Sequence, residues 1–237
     1  MKKFTSIVVS LLMAGAIFAQ TKSLDKDNGY YIYLKGTNTK ITDEEYLNYA
    51  KVVEHGTYNK YKNDEFEWDE QFTLLKQKFD KLVSEADLSS VYTIVTSVDF
   101  GDYDFTNEGF PVSIGEGTFF PIDKFWDSWD ATNDSVFRKS IAFKLDSFNT
   151  YNFFAMPKSE AKTFLQGRKS SSGNVNRSIT LQITYKIAAF DSKEFKSFKD
   201  LALSNDYLPI VGIIEKIEVF DASNSRNVKK IGELIKK

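Results

Sequence analysis

The stretch VDFGDYDFTNEGF, Val98 to Phe110, sets four carboxylates, Asp99, Asp102, Asp104 and Glu108, among aromatic residues. Glycoside hydrolysis needs two carboxylates at a set separation, one as general acid and the other as base or nucleophile. A plainer reading competes with it. If the stretch continues a strand, Asp102 and Asp104 share a face with Phe100, while Tyr103 and Phe105 share the other. Asn107-Glu108-Gly109 then reads as a turn. The spacing favours a solvated strand end, so the four acids stand as catalytic candidates with no catalytic role assigned. Asp102, Asp104 and Thr106 also alternate like the start of an EF-hand loop. That loop needs Gly at its sixth position and Glu at its twelfth, and this chain has Asn107 and Ser113 there. Asp25 to Gly29 (DKDNG) departs too, its Gly arriving one residue early. A looser calcium site stays open, but no metal is assigned.

Two further clusters have the types needed for ligand binding. In DKFWDSWD, Trp126 and Trp129 beside Asp123, Asp127 and Asp130 could form an aromatic platform for a sugar ring. The alternative is a short helix with Ile122, Phe125, Trp126 and Trp129 as its buried stripe, since large aromatics mostly belong to cores. The loop GRKSSSGNVNR carries Arg168, Lys169 and Arg177 around a flexible Ser/Gly run. Guanidinium and ammonium groups there suit an anionic glycan, a lipid headgroup or an acidic protein. The aromatics that would stack on single-stranded nucleic acid are missing, so no nucleic acid is expected. The other reading, which is favoured, is a mobile, solvated hairpin or helix–strand loop.

Much chemistry is excluded. The chain has no cysteine and one histidine, His55. Cysteine nucleophiles, CxxC redox sites and Cys/His zinc sites are therefore impossible. A Ser-His-Asp triad would have to use His55, which sits beside Gly56 at an expected helix end, where an imidazole usually meets the last carbonyls. No phosphate-binding or dinucleotide-binding glycine motif and no HExxH is present, so no cofactor is expected.

The positioning elements read as follows. YYIYL, Tyr30 to Leu34, suggests a strand. ITDEEYLNYAKVVEHG suggests a helix over 43–55, with a capping box from Thr42 to Glu45, a staple of Ile41 on Tyr46, and Gly56 past its end. Trp68, Phe72, Leu75, Phe79, Leu82, Val83 and Ala86 recur at helical spacing, one apolar face suited to packing on a sheet. Strands follow from Val91, with Gly115-Glu116-Gly117 as a hairpin loop between PVSI and TFFPI. In RSITLQITYKIAAF, Ile179, Leu181, Ile183, Tyr185 and Ile187 face one way and Thr180, Gln182, Thr184 and Lys186 face water. In the strand from Pro209 to Phe220, Val211, Ile213, Ile217 and Val219 share a face. Two shorter helices are expected, SEAKTFLQ ending at Gly167 and another at about 194–203. This predicts an α+β fold: two N-terminal helices (about 42–88) packed on a mostly antiparallel sheet or partly open barrel (about 91–237), forming a single domain over 20–237.

The N-terminus reads as a secretory signal peptide over 1–19. Lys2 and Lys3 precede a short apolar run from Ile7 to Phe18, with cleavage expected after Ala19. No later segment is long and apolar enough for a membrane helix. The net charge of −2 hides an asymmetry: 23 acidic and 11 basic residues from Gln20 to Ser135, against 10 acidic and 18 basic from Val136 onward. The halves either neutralise each other internally or the basic one meets an anionic partner. These features point to a periplasmic or secreted cell-envelope protein that binds another protein or an anionic envelope component without catalysis. A carboxylate-dependent glycan hydrolase and an assembly subunit joined at a sheet edge are the alternatives.

Overall fold

Thr42 accepts a hydrogen bond from the Glu45 N–H at 3.2 Å, and Glu45 returns one from the Thr42 N–H at 2.8 Å. This reciprocal cap starts α2, Asp43–Val52. The computed structural model describes residues 22–26, 28–122, 140–190, 207–224 and 227–237. The expected signal peptide, Trp126 and Trp129, and the helix expected at 194–203 lie outside these residues.

The helical layer differs from expectation in three ways. Helices begin at α1, Gly29–Thr37, where YYIYL suggested a strand. Tyr30, Tyr31, Ile32 and Leu34 are all buried. A helix whose first four residues are all buried shows little amphipathic period there, and its aromatic run imitates a strand. Second, α2 stops at Val52 and α3 restarts over His55–Tyr61, so Gly56 lies inside a helix. The chain bends where Glu54 reaches the Tyr49 hydroxyl (3.3 Å) and Lys78 (2.5 Å). Third, α4, Glu65–Glu85, presents its apolar face to the other helices. Phe79 is fully buried there, its ring 4.9–6.4 Å from those of Tyr30, Tyr31, Tyr46 and Tyr49. α1 joins this layer to the sheet at two glycines two turns apart. A Cβ on Gly29 would lie 2.3 Å from Ile141, and one on Gly36 would lie 2.0 Å from the Phe190 ring.

Among the described residues the sheet has eight strands and does not close. These are β1 Val91–Asp99, β2 Gly109–Pro111, β3 Phe120–Ile122, β4 Ser140–Leu145, β5 Tyr151–Ala155, β6 Ser178–Ala189, β7 Tyr207–Asp221 and β8 Lys229–Lys236. α5, Lys158–Gly167, lies between β5 and β6 and ends at the expected glycine. The order is β1-β6-β7-β8-β5-β2, antiparallel throughout; β4 pairs in parallel with the first half of β7 and carries β3. With helices first and strands after, the fold is α+β. Gly115 to Gly117 does form a turn, closed by Thr118 N–H to Gly115 O at 3.0 Å. It makes no hairpin, because β2 pairs with β5 and β3 with β4.

Two side-chain patterns also differ. Between Tyr185↔Ile214 and Thr184↔Lys216, β7 carries one extra residue, Glu215. This bulge reverses the phase of the strand. Ile214 and Ile217 both reach the core, whereas Ile213 is 54% exposed and Val211 packs on the opposite face with Ala142. On β6, Thr180 and Gln182 are buried rather than wet, opposite Phe220 and Glu218 of the neighbouring strand. Helices and sheet share one continuous cluster of buried apolar side chains.

Candidate functional site

β1 ends at Asp99, earlier than a strand carrying Asp102 and Asp104 would require. Phe100 bridges to Val112, and Gly101 N–H bonds Pro111 O at 2.7 Å. The chain then turns back on itself at Asp104 and Gly109, which exchange backbone hydrogen bonds of 2.7 and 3.3 Å. Glu108 takes the left-handed conformation within this turn (φ 51°).

The four carboxylates meet different surroundings. Asp99 is exposed at the strand end. The Asp102 side chain is 95% exposed and contacts Arg177 at 2.5 Å. Asp104 folds over its own turn, accepting from Thr106 N–H (2.9 Å), Asn107 N–H (3.0 Å) and the Asn107 side chain (2.6 Å). These bonds, the Asn107 side chain first, hold its carboxyl below the usual carboxylate range. Glu108 is exposed at the turn tip. The structure thus brings Asp102 to Arg177 and Asp104 to its own backbone, not to one another.

A folded pKa lowered in this way stabilises the fold above the unfolded carboxylate pKa. The contribution is lost as pH falls through the folded value. Asp104→Asn is therefore expected to lower Tm at pH 7, with the gap to the parent shrinking as pH falls below about 4. Asp102→Asn should leave Tm nearly unchanged, as exposed ion pairs contribute little. Thermal melts of both variants across this range check the pair.

Arg168 and Arg177 frame the same segment from the other side. Arg168 is not a loop-surface group, as its place in GRKSSSGNVNR suggested; its side chain is 1% exposed. It donates to Asn176 O (2.8 Å), Ser178 O and Asp221 (2.5 Å), with its guanidinium 4.9 Å from the Phe164 ring. Arg177 donates to Gly101 O and lies 5.6 Å from the Phe100 ring. Beneath them Phe100, Phe110, Phe154 and Phe164 form one aromatic cluster, with successive rings 4.8–6.3 Å apart. Both arginines therefore fasten the β1 end, the turn and α5 together.

A family profile described as "Domain of unknown function (DUF4852)" matches residues 42–167. The chain belongs to the DUF4852 family. No curated protein and no solved structure matches it. The DUF4852 span runs from the N-cap of α2 to the last residue of α5. It contains all four candidate carboxylates and the whole phenylalanine cluster. It stops one residue short of Arg168, so Arg168, Lys169 and Arg177 lie beyond the part that defines DUF4852.

The loop after the DUF4852 span is a hairpin, one of the two forms expected for it. Lys169 bridges Val175, Ser170 N–H bonds Asn174 O at 2.8 Å, and Gly173 supplies the left-handed turn residue (φ 85°). Two depressions meet at Gly167. One, of about 670 Å³, lies between α5 and the β7–β8 hairpin and is lined by Glu160, Thr163, Phe164, Asp221, Lys229 and Lys230. The other, of about 660 Å³, is lined by Lys169, Ser170, Ser172, Asn174, Asn176 and Asn224. Lys230 pairs with Glu218 and Glu233. Lys169 and Lys229 are exposed and make no ion pair with any described residue. Lys229 was not among the residues the sequence singled out, and the turn-forming run ASNSRN just before it was the available signal.

His55 serves its helix. Its Nδ1 lies 3.0 Å from Lys51 O and its Nε2 lies 2.7 Å from the Asn59 amide, an arrangement that suits the neutral Nδ1–H tautomer. Among the described residues no three of His, Asp or Glu converge as metal ligands, and no helix is long and apolar enough to cross a membrane. Most ion pairs between described residues join residues of the same half and so leave the charge asymmetry in place. Of these pairs, Arg177–Asp102 and Lys237–Asp104 join the two halves.

Proposed function

We propose that this chain is an exported, non-enzymatic binding protein of the bacterial cell envelope, with an anionic ligand. The observation that carries this reading is the pair of adjoining polar depressions at the end of α5, each offering a lysine without an ionic partner, Lys169 and Lys229. Export rests on the signal-peptide pattern of residues 1–19. Lys22, which bonds Asp87 and Ser90, lies beyond the expected cleavage point after Ala19. A glycan hydrolase needs two carboxylates facing one cleft, and the four candidates have separate surroundings, so that reading is not carried further.

The test uses the chain recovered from the envelope fraction of a producing bacterium, expected to begin at Gln20. It should bind anionic phosphatidylglycerol vesicles or an acidic polysaccharide, each arm naming one source of the anion. Phosphatidylcholine vesicles should be bound weakly. A surface lysine contributes about 1 kcal/mol to such binding. Lys169→Glu with Lys229→Glu should therefore weaken it at least about tenfold. High salt should weaken it too. Equal binding to neutral and anionic vesicles, or an unaffected double variant, would overturn the reading.

A further inference from the structure

We propose that the uncovered part of the β1 edge, Val95 to Asp99, is a docking slot for an extended polypeptide segment of a partner protein. Such a segment would add as a strand and place a Lys or Arg side chain beside Asp99. The slot is independent of the anionic ligand above.

In an antiparallel pair, alternate residues turn both backbone groups toward the partner and the others turn them away. The bond from Phe100 N–H to Arg177 O (3.0 Å) sets the phase here. Even-numbered residues of β1 bond to β6, and odd-numbered residues face the opposite edge. That edge is occupied at both ends. Thr93 N–H donates to Lys22 O at 2.9 Å, and Gly101 N–H donates to Pro111 O at 2.7 Å. Between these points the N–H and C=O groups of Val95 and Ser97 have no hydrogen-bond partner among the described residues. The gap accepts a strand of about four or five residues at ~3.3 Å each.

Two observations say what fits. Exposed edges are usually guarded by lysine, proline or an inward charge. From Val91 to Val98 β1 has no charged residue and no proline. Val95 is instead 44% exposed beside the open groups. Such an edge suits strand addition, in which main-chain bonds give affinity and side-chain pockets give specificity. A pocket lies at the right place: a depression of about 470 Å³ at the Asp99 end, lined by Asp99, Pro111, Ser113, Asn149 and Asn152. Its acceptors are the Asp99 carboxylate, which has no ion pair with a described residue, and the Asn152 Oδ1, which is buried without a hydrogen-bond partner. Two acceptors with no donor call for a cationic side chain rich in N–H groups.

The experiment uses a capped heptapeptide of alternating valine and threonine with one lysine, and a control peptide with norleucine in place of lysine. In the free chain, the Val95 and Ser97 amides should exchange rapidly with deuterated solvent. The lysine peptide should protect them. Val95→Pro removes only an outward N–H, as proline is tolerated on an edge strand. Losing that bond should cost on the order of tenfold in affinity. Asp99→Asn should erase the preference for the lysine peptide over the control. It should leave vesicle or polysaccharide binding and Tm unchanged, so a folding fault is visible. Four results would overturn the proposal: amides already protected in the free chain, equal binding of both peptides, an unaffected Val95→Pro variant, or a dimer of this chain that Val95→Pro dissociates.

Discussion

Replacing Arg168 by Met is expected to lower Tm by about 10 °C. The guanidinium is nearly inaccessible and joins three segments: the Asn176 and Ser178 carbonyls before β6, the Asp221 carboxylate at the end of β7, and the Phe164 ring of α5. Methionine restores most of the volume but leaves two carbonyls and a largely buried carboxylate without their donor. Breaking one side of a buried ion pair costs roughly 3–5 kcal/mol. In a domain of this size each kcal/mol shifts Tm by about 2–4 °C. Arg168→Lys should fall between, because an ammonium cannot reproduce the planar fork. Adding Asp221→Leu to Arg168→Met should recover part of the loss, since the stranded charge is then gone.

The pH dependence of this site follows from Asp221. Burial alone would raise its carboxyl pKa, but the hydrogen bonds from Ser223 and the charge of Arg168 outweigh it, and the net shift is downward. The resulting stabilisation is complete above the unfolded carboxylate pKa and disappears as pH falls through the lowered folded value. The gap in Tm between parent and Arg168→Met should be full at pH 7 and shrink below about pH 4. A gap under about 2 °C, or one that ignores pH, would return Arg168 to the list of ligand-facing residues.

What was legible in the sequence was what a few neighbouring residues decide. The cap at Thr42 and Glu45 and the α4 face each depend on spacing within one element, and both are observed; the β6 alternation holds only from Thr184 onward, because neighbouring strands cover Thr180 and Gln182. The turn at Asn107-Glu108-Gly109 belongs with them; Asp104 was placed on a strand face instead, although its partners are only two and three residues away. Features set by distant partners could not be read. α1 lost its period because the sheet and α4 enclose it together. Glu215 looks like any other strand residue until its bulge reverses the faces on either side. β8, Lys229–Lys236, buries Leu234 but carries so many charges that no alternation shows. Arg168 was expected at the surface because loop arginines usually are; its acceptor Asp221 is 53 residues away.

Phe79→Ala is expected to cost about 3–5 kcal/mol, the range for emptying a buried phenylalanine site. Four tyrosine rings surround Phe79, and three of them are fixed from outside. Tyr30 donates to Glu45 at 2.8 Å, Tyr46 donates to Asp80 at 2.5 Å and Tyr49 donates to Glu54 at 3.3 Å. Rings tied at their hydroxyls cannot easily collapse into the vacated space, which argues for the upper part of the range. Phe79→Leu keeps most of the side-chain volume and should cost correspondingly less. The form of the transition carries more information than its midpoint. Because helices and sheet draw on one cluster of buried side chains, the loss should move the whole transition. Far-ultraviolet circular dichroism and tyrosine near-ultraviolet signals should fall together about 10 °C earlier. A variant whose tyrosine signal melts first, while the sheet persists to the parent temperature, would show that the helices from α1 to α4 fold apart from the strands. In that case the β1 edge and the α5 depressions belong to a body that can be isolated from the helical one. One coincident transition would instead tie both proposed surfaces to the packing of a single phenylalanine in the helical layer.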